Sequence, residues 1–410
     1  MVTGLGAVSP VGVGVAASWD ALLTGRSGVG LITRFDATGW TTRTSGEVQD
    51  FDPVALLGPK LARRSARFVQ FALVAAAEAF AQAGLDEDPG LQRERLGVFI
   101  GTAIGGIPEI CDSHTDVVER GPRGVSPLFI PSALTNIASG QVAIAHRAKG
   151  PSGCPSTACA AGNHGIGMGF DAIRTGSVDV AIVGGAEGAI APLTLAGFQN
   201  MRALSRWPGE PRCASRPFDA ERTGMVVAEG AGILVLESLE HAVRRGASIL
   251  CEVAGFASTT DVHHITAPSP DGNAAARCMT LALQSAGIAP EQVQYVNAHG
   301  TGTPMNDVAE TRAIRGVFSD HAERLLISST KGATGHMLGA AGGFEAVATV
   351  RALQTGWVPP TLHLETADPL CDLDYVAGQA RHASPRVALS NAFGFGGANA
   401  VVALRRWEEE

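Results

Sequence analysis

The sequence predicts an α/β fold built from two related halves. Short apolar runs of strand length alternate along the chain with longer segments of helical periodicity, which is typical of α/β domains. A second observation indicates internal duplication, because the helix that begins at Cys159 and the helix that follows His336 both start with small residues and end in Thr-Gly. We therefore expect two α/β halves that meet near residue 250 and form one body.

The expected strands are mostly continuous apolar runs, as in a sheet covered on both faces. They are Leu96–Ile100, Val178–Val183, Gly232–Leu236, Gln294–Asn297, Leu325–Ser328 and Val387–Asn391. The expected helices often end in glycine, which caps a helix C-terminus. They are Ser65–Ala83, Cys159–Thr175, Asn273–Ala286, Val308–Val317 and Gly339–Gln354.

Composition narrows the class of protein. With 410 residues, of which 45% are hydrophobic, the chain can form two or three units with large cores. The net charge of −8 does not favour nonspecific nucleic-acid binding. Seven cysteines without a C-x-x-C pair argue against a disulfide framework or a zinc site and fit a reducing cytoplasm. Neither a signal peptide nor a membrane-spanning segment is expected, so we predict a cytoplasmic protein.

Cys159 is the first candidate for chemistry, because it lies where a helix is predicted to begin. Its segment, residues 156–162, reads Ser-Thr-Ala-Cys-Ala-Ala-Gly. A free thiol is mostly protonated at neutral pH, but a helix N-terminus stabilises the thiolate and its N–H groups can bind an oxyanion. A buried structural cysteine is the alternative, and spacing alone leaves both open. Cys154 lacks the following small residues, and we interpret it as structural.

Two histidines in glycine-rich segments are the candidate partners of the thiol. His299 follows a predicted strand and precedes Gly-Thr-Gly-Thr, so we expect it to face a cleft, with a core histidine as the alternative. His336 lies between a glycine turn and a helix. A neutral imidazole can donate a hydrogen bond to a developing negative charge. Lys331, one of only three lysines, lies in the same segment as His336.

A glycine cluster near the C-terminus is the last candidate. Residues 394–397 read Gly-Phe-Gly-Gly and follow the last predicted strand. The glycines allow backbone N–H groups to face a ligand and leave Phe395 free to swing as a gate. A plain hairpin turn is the alternative.

Together these motifs resemble one known family along nearly the whole chain. The sequence resembles the β-ketoacyl-acyl carrier protein synthases, most closely the elongating type II enzymes with a Cys-His-His centre. The resemblance is carried by residues 2–12, 101–106, 126–131, 214–219 and 394–397, and by the order of the cysteine, the histidines and the lysine. It implies a thiolase-like fold of two stacked halves in α-β-α-β-α layers. Residues 1–250 would carry the nucleophile, and residues 251–410 the histidines, the lysine and the glycine loop.

The resemblance also implies a role for each catalytic position. Cys159 matches the nucleophile that accepts an acyl chain from the phosphopantetheine of a carrier protein. The backbone N–H groups of Cys159 and Phe395 match the oxyanion hole, and Phe395 also matches the gate. His299 and His336 match the pair that promotes malonyl-thioester decarboxylation. Lys331 matches a lysine with an electrostatic and structural role.

The resemblance also implies roles for residues outside the catalytic set. They are Asp307 and Glu345, which would order the site, Thr301 and Thr303 along the pantetheine channel, Ile104 and Ile107 in the acyl tunnel, and Lys60, Arg63 and Arg64 in a basic patch for the acidic carrier protein. Ordinary packing is the alternative for the isoleucines, and a solvated helix face for the patch. No metal or nucleotide cofactor is implied, because the substrates travel on phosphopantetheine. We expect a dimer, either a homodimer or a heterodimer with a chain-length-factor homologue.

Related families are less well matched. A thiolase would carry a second cysteine in the C-terminal glycine loop, where this chain has Phe395, and an initiating synthase would have Asn at the position of His336. A non-catalytic chain-length factor would usually lack Cys159. The primary fatty-acid enzyme commonly has Thr-Ser-Gly after the cysteine, whereas this chain has Ala-Ala-Gly-Asn. That difference slightly favours type II polyketide elongation, with housekeeping fatty-acid elongation as the alternative. The chain begins inside the first strand of the family.

Overall fold

One eleven-stranded sheet, whose two halves are joined by a single residue pair, forms the frame of the molecule. The structure is a computed structural model and describes residues 1–408. The strands are Val2–Ser9 (β1), Gly12–Val13 (β2), Gly30–Leu31 (β3), Thr44–Ser45 (β4), Leu96–Gly101 (β5), Ser152–Gly153 (β6), Val180–Glu187 (β7), Gly230–Glu237 (β8), Cys251–Thr260 (β9), Tyr295–Asn297 (β10), Leu326–Ser328 (β11), Trp357–Val358 (β12), Arg381–His382 (β13), Val387–Gly394 (β14) and Ala398–Arg406 (β15).

Helices cover both faces of these sheets. They are Val15–Leu23 (α1), Pro53–Leu57 (α2), Pro59–Arg64 (α3), Arg67–Gln82 (α4), Ile107–Arg120 (α5), Phe129–Ala133 (α6), Ile137–Ala145 (α7), Ala161–Arg174 (α8), Pro192–Asn200 (α9), Leu239–Arg244 (α10), Asn273–Ala286 (α11), Pro304–Phe318 (α12), Lys331–Thr334 (α13) and Ala341–Thr355 (α14). Within residues 1–408, no helix is both long enough and apolar enough to cross a bilayer.

The strand order divides the main sheet into two halves. One half has the order β6-β5-β7-β8-β1 and the other β9-β15-β14-β10-β11. The strand pairs β5/β7, β10/β14 and β10/β11 are parallel, whereas β7/β8, β8/β1, β14/β15 and β15/β9 are antiparallel. A single residue pair, Val2 with Cys251, joins β1 to β9. The two halves of the sheet therefore meet through very little backbone hydrogen bonding.

The apolar residues of the strands point alternately to two different cores. On β7, Val183 packs in a central core with α8 and α14, whereas its neighbour Ile182 packs in an outer core with α4 and α7. This alternation is the period-two geometry of a strand covered on both faces. The second half of the sheet shares the central core and has its own outer core with α11 and α12. The layers are therefore α-β-α-β-α, as expected for the thiolase-like fold.

The two central helices meet backbone to backbone at their N-terminal ends. A Cβ atom added at Gly162 of α8 would lie 2.5 Å from the backbone nitrogen of Gly343 in α14, so no larger residue fits there. Phe344 follows in α14 and is fully buried in the central core. Burial of such a side chain stabilises the fold by roughly 2–3 kcal/mol. This close packing brings the segments before both helices to one place.

Most predicted elements are present, with shifts at their ends. The helix Asn273–Ala286 has the predicted bounds, because left-handed glycines lie on both sides of it. The predicted helix 308–317 is longer and begins at Pro304. Strand β9 was not predicted, because its side chains alternate between buried and half-buried and form no continuous apolar run. Strand β15 was not predicted either.

Candidate active site

Cys159 lies in a one-turn 3-10 helix, Ala158–Ala160, directly before α8. Ala158 has φ +50°, in the left-handed region that non-glycine residues seldom adopt. Such a conformation persists only where the surrounding structure holds it. The turn places Cys159 at the wall of a cavity, with only 7% of its surface exposed. The predicted position at the start of a helix is therefore present.

The protonation state of this thiol differs from the expectation of a stabilised thiolate. Burial raises the pKa of Cys159 to about 12, and the positive charge of Lys331 opposes that rise only in part. The resting group is therefore a thiol, because loss of solvation outweighs the helix start. Cys154 is half-buried and its Sγ lies 3.3 Å from the carbonyl oxygen of Thr135, which fits a structural cysteine.

His299 follows β10 and is held through its backbone. The N–H groups of His299 and Gly300 each donate to the carboxylate of Glu310, at 2.8 Å. Asn391 of β14 donates to the same carboxylate at 3.1 Å. Burial raises the pKa of Glu310 to about 7, and these donors oppose the rise. Glu310 is a functional position that the sequence prediction missed, although it lies one helical turn after Asp307, which was predicted.

His336 is fixed in one tautomer by its surroundings. Its backbone N–H donates to the carbonyl of Val226 at 2.7 Å, and its Nδ1 accepts the N–H of Leu338 at 3.3 Å. Nδ1 is therefore the unprotonated nitrogen, and Nε2 carries the hydrogen. Nε2 is buried and has no hydrogen-bond partner within residues 1–408. The rings of His299 and His336 are perpendicular, with centroids 5.3 Å apart.

A buried ion pair lies behind the histidines. Lys331 and Glu345 are both almost completely buried, and the ammonium group contacts the carboxylate directly. Burial, together with the charge of Lys331, lowers the pKa values of His299 and His336 well below 6.5. Both imidazoles are therefore neutral at physiological pH and can act as hydrogen-bond donors or proton acceptors.

Asp307 orders the loop that carries His299. Its buried carboxylate accepts the backbone N–H of Phe218 at 2.8 Å and that of Gly302 at 3.3 Å. Arg222 lies 3.6 Å from the same carboxylate. Asp307 thus connects residues 216–219 to the loop after His299. Glu345 instead forms the ion pair with Lys331.

The Gly-Phe-Gly-Gly segment is the turn of the β14–β15 hairpin and also a wall of the cavity. A Cβ atom added at Gly394 would lie 3.1 Å from the backbone nitrogen of Cys159, so the turn approaches Cys159 closely. The ring of Phe395 contacts Phe198, with centroids 6.2 Å apart. Gly396 has φ +79° and donates its N–H to the carbonyl of Ile265 at 2.7 Å. The hairpin alternative and the cavity-facing loop are therefore both present.

One cavity of about 410 Å³ brings together six of the predicted site residues. Its lining includes Cys159, His299, His336, Thr301, Thr303 and Phe395. The other predicted site residues do not line this cavity in residues 1–408. Ile104 and Ile107 instead pack beside Cys159 in an apolar cluster, Lys331, Asp307 and Glu345 are buried, and Lys60, Arg63 and Arg64 are exposed on α3.

This arrangement combines a group that can form a covalent bond with groups that can stabilise a negative charge. A thiol and two neutral imidazoles face one largely apolar cavity, and a glycine turn lies against the backbone of the thiol. Such a set can form a thioester and donate hydrogen bonds to a developing oxyanion or enolate. In residues 1–408, no three His, Cys, Asp or Glu side chains are grouped so that they could hold a metal ion.

Comparison with known families agrees with this geometry. The profile described as "Beta-ketoacyl synthase, N-terminal domain" matches residues 1–242, and "Beta-ketoacyl synthase, C-terminal domain" matches residues 250–365. The chain belongs to the β-ketoacyl synthase family. A β-ketoacyl synthase is an acyltransferase, so this chain is an enzyme of that class.

This β-ketoacyl synthase is similar over nearly its whole length to a curated relative and to solved structures. The 3-oxoacyl-[acyl-carrier-protein] synthase 2 of Synechocystis is 50% identical over 408 residues, covering 100% of this chain and 98% of the relative. A type II polyketide ketosynthase, solved with its acyl-carrier protein, is 36% identical with a TM-score of 0.92, covering 99% of this chain and 98% of that chain. The ishigamide ketosynthase/chain length factor is 37% identical with a TM-score of 0.92 and the same coverage.

Proposed function

We propose that this β-ketoacyl synthase elongates fatty acids by condensing a Cys159-bound acyl group with malonyl-acyl carrier protein. The observation that carries the proposal is that Cys159, His299 and His336 border one cavity. The segment after Cys159 favours a polyketide enzyme. However, the 50% identity to a 3-oxoacyl-carrier-protein synthase supports fatty-acid elongation more strongly than identities of 36% and 37% support polyketide synthesis.

The first step transfers the acyl group to the enzyme. The sulfur of Cys159 attacks the carbonyl carbon of the acyl thioester, and the bond from that carbon to the pantetheine sulfur breaks. The proton of the Cys159 thiol passes through a neutral imidazole to the departing pantetheine sulfur. The backbone N–H groups of Cys159 and Phe395 stabilise the oxyanion, which is the largest electrostatic demand of acyl transfer.

The second step creates the nucleophilic carbon. The malonyl thioester loses carbon dioxide, and the electron pair of the broken bond forms an enolate. Neutral His299 and His336 donate N–H groups to the enolate oxygen, and the Nε2 of His336 is already buried and without a partner among the described residues. No strong base is needed, because decarboxylation supplies the electrons.

The third step forms the new carbon–carbon bond. The enolate carbon attacks the thioester carbonyl on Cys159, and the carbon–sulfur bond breaks when the tetrahedral oxyanion collapses. The product is a β-ketoacyl group on the carrier protein, and the released sulfur takes a proton from solvent. Lys331 acts at a distance in this scheme, because its charge adds to the effect of burial in lowering the pKa of both imidazoles.

The partners follow from the substrates. An acidic acyl carrier protein would dock with Lys60, Arg63 and Arg64, which are all exposed on one short helix. Apart from the phosphopantetheine of that carrier, the scheme requires no cofactor. We also propose a dimer. We further propose a division into halves at residues 1–250 and 251–410, and the start of β9 at Cys251 supports it.

A reconstituted single round of elongation tests the proposal. The purified chain, without any second subunit, is incubated with a saturated acyl-carrier protein and malonyl-carrier protein, and products are identified by intact mass. We expect one β-ketoacyl product, formed by a homodimer. Activity only with a co-purifying homologue that lacks the cysteine, together with repeated unreduced extension, would instead support the polyketide function.

A further inference from the structure

Asn163 is a buried polar side chain that none of these steps uses. It is fully buried in the first turn of α8, four residues after Cys159. Its Nδ2 donates to the carbonyl oxygens of Ser390 in β14 and Ala400 in β15, at 3.0 and 3.1 Å. The amide has only one acceptable orientation, because the reverse one would place its oxygen against two carbonyl oxygens.

These two strands form the hairpin whose turn carries Phe395. Ser390 lies four residues before Gly394, just as Asn163 lies four residues after Cys159. At the tip of the hairpin, a Cβ atom added at Gly394 would lie 3.1 Å from the nitrogen of Cys159. The helix of the nucleophile and the hairpin of the gate are therefore joined at the base by an amide and at the tip by direct backbone contact.

Packing alone does not account for an asparagine at this position. A Cβ atom added at Gly342 of α14 would lie 2.6 Å from Oδ1 of Asn163, so the side chain is confined on that face. Oδ1 is buried and has no hydrogen-bond partner within residues 1–408, which is unfavourable for a polar atom. A leucine, whose side chain has the same branching with two methyl groups in place of the amide, would avoid that cost, and it would also lack the two bonds to the hairpin.

We propose that Asn163 is a positioning residue for the oxyanion hole. Because its two hydrogen bonds join α8 to the hairpin, it sets how far the N–H of Cys159 lies from the N–H of Phe395. This role rests on the proposed function, in which those two N–H groups bind the oxyanion. His299 and His336 are held by contacts that do not include Asn163, through Glu310, which also binds Asn391 of β14, and through Val226, so Asn163 acts first on acyl transfer.

Substitution of Asn163 by leucine separates the two half-reactions. In Asn163→Leu, we expect acyl transfer from acyl-carrier protein to Cys159 to slow on the order of tenfold, since a small misplacement of donors weakens oxyanion binding. Decarboxylation of malonyl-carrier protein should change less than about twofold, because its donors keep their supports. Acyl transfer is followed by the mass of the acyl-enzyme, and decarboxylation by release of carbon dioxide.

Two further variants keep the test decisive. Asn163→Ser leaves room for a water molecule that can restore a bridge to the hairpin, so its acyl-transfer rate should lie between those of wild type and Asn163→Leu. Ile166→Val removes a buried methylene one turn later in the same helix, and it should lower the melting temperature without slowing acyl transfer. Alkylation of Cys159 by iodoacetamide, which needs no oxyanion hole, verifies that the thiol is accessible in each variant.

The outcomes distinguish this role from the function on which it rests. Unchanged acyl transfer in Asn163→Leu would refute the positioning role, as would an equal loss of both half-reactions that follows the fraction of unfolded protein. Failure of wild type itself to accept an acyl group would refute the proposed function, and with it the role of Asn163.

Discussion

The segments directly before α8 and α14 have the same backbone conformation but different side chains. Each is a one-turn 3-10 helix, Ala158–Ala160 or Leu338–Ala340, directly followed by the longer helix. Each starts with a left-handed residue that is not glycine, with φ +50° at Ala158 and +47° at Leu338. The second residue of the turn is Cys159 in one case and Gly339 in the other. One backbone turn thus presents a thiol, and its counterpart presents no side chain.

Neighbouring backbone explains the difference. A Cβ atom added at Gly339 would lie 2.3 Å from the backbone nitrogen of Ala103, whereas the side chain of Cys159 opens into the cavity. The N–H of Gly339 donates to the buried carboxylate of Glu187 at 3.2 Å, and so do the N–H groups of Ala103 and Gly105. The second turn therefore only packs against its neighbours, and the reactive side chain near it is His336, three residues before Gly339. The comparison indicates that the first turn supplies a thiol, whereas the segment before the second turn supplies an imidazole.

The largest effect is expected from removal of the thiol. Cys159→Ala should abolish the covalent acyl adduct and lower turnover by more than about a thousandfold, because the nucleophile is lost. Intact mass after incubation with acyl-carrier protein measures the adduct. An adduct that persists in this variant would place the nucleophile elsewhere and remove the basis of the comparison.

The second turn should affect the other half-reaction. His336→Ala should lower malonyl decarboxylation by about 10²–10⁴-fold, the usual contribution of a positioned proton donor. Acyl transfer to Cys159 should stay largely intact, because its oxyanion donors are backbone groups and His299 still offers a neutral imidazole for the thiol proton. The two rates are measured separately on the same preparation. The reverse pattern, with acylation lost and decarboxylation kept, would contradict these separate roles of Cys159 and His336.

The pH dependence of Cys159 alkylation tests whether the buried thiol is protonated at neutral pH. Alkylation requires the thiolate, and burial raises the pKa of Cys159 to about 12, so the protonated form dominates below that pH. The rate of Cys159 alkylation should therefore rise about tenfold per pH unit from pH 7 to pH 10. Peptide mass spectrometry follows this site separately from the other cysteines. A rate that levels off above about pH 8.5, the pKa of a free cysteine, would show that the helix start fully offsets burial.

A smaller effect is expected in stability when the second turn acquires a side chain. Gly339→Ala should lower the free energy of unfolding by about 1–3 kcal/mol, because the new methyl group meets backbone that cannot move freely. Denaturant unfolding measures the change. Gly197→Ala is the matched control, since a Cβ atom at this helical position meets no atom within 4 Å.

The control should stabilise α9 by up to about 1 kcal/mol, because alanine favours the helix more than glycine does. If Gly339→Ala proved as stable as wild type, the empty side-chain position at the second turn would need another explanation than crowding.

The sequence predicted what depends on local patterns. The layers, most helices, and the shared cavity of Cys159, His299 and His336 agree with expectation, since periodicity and glycine positions are visible in the chain itself. Glu310 and Glu187 were missed because their role lies in accepting backbone N–H groups from segments distant in sequence. The raised pKa of Cys159 was missed for a related reason, since a local helix start is visible in the sequence but the depth of burial is not.

The joint between the two sheet halves has a consequence for how the protein unfolds. Val2 and Cys251 form the single residue pair between β1 and β9, so strand pairing alone would let each half of the sheet open separately. The side chains of α8 and α14 add a further connection, because one apolar core is shared by both halves. Amide hydrogen exchange should therefore show cooperative opening of both sheets, and a cavity made at Phe344 should divide that single transition into two.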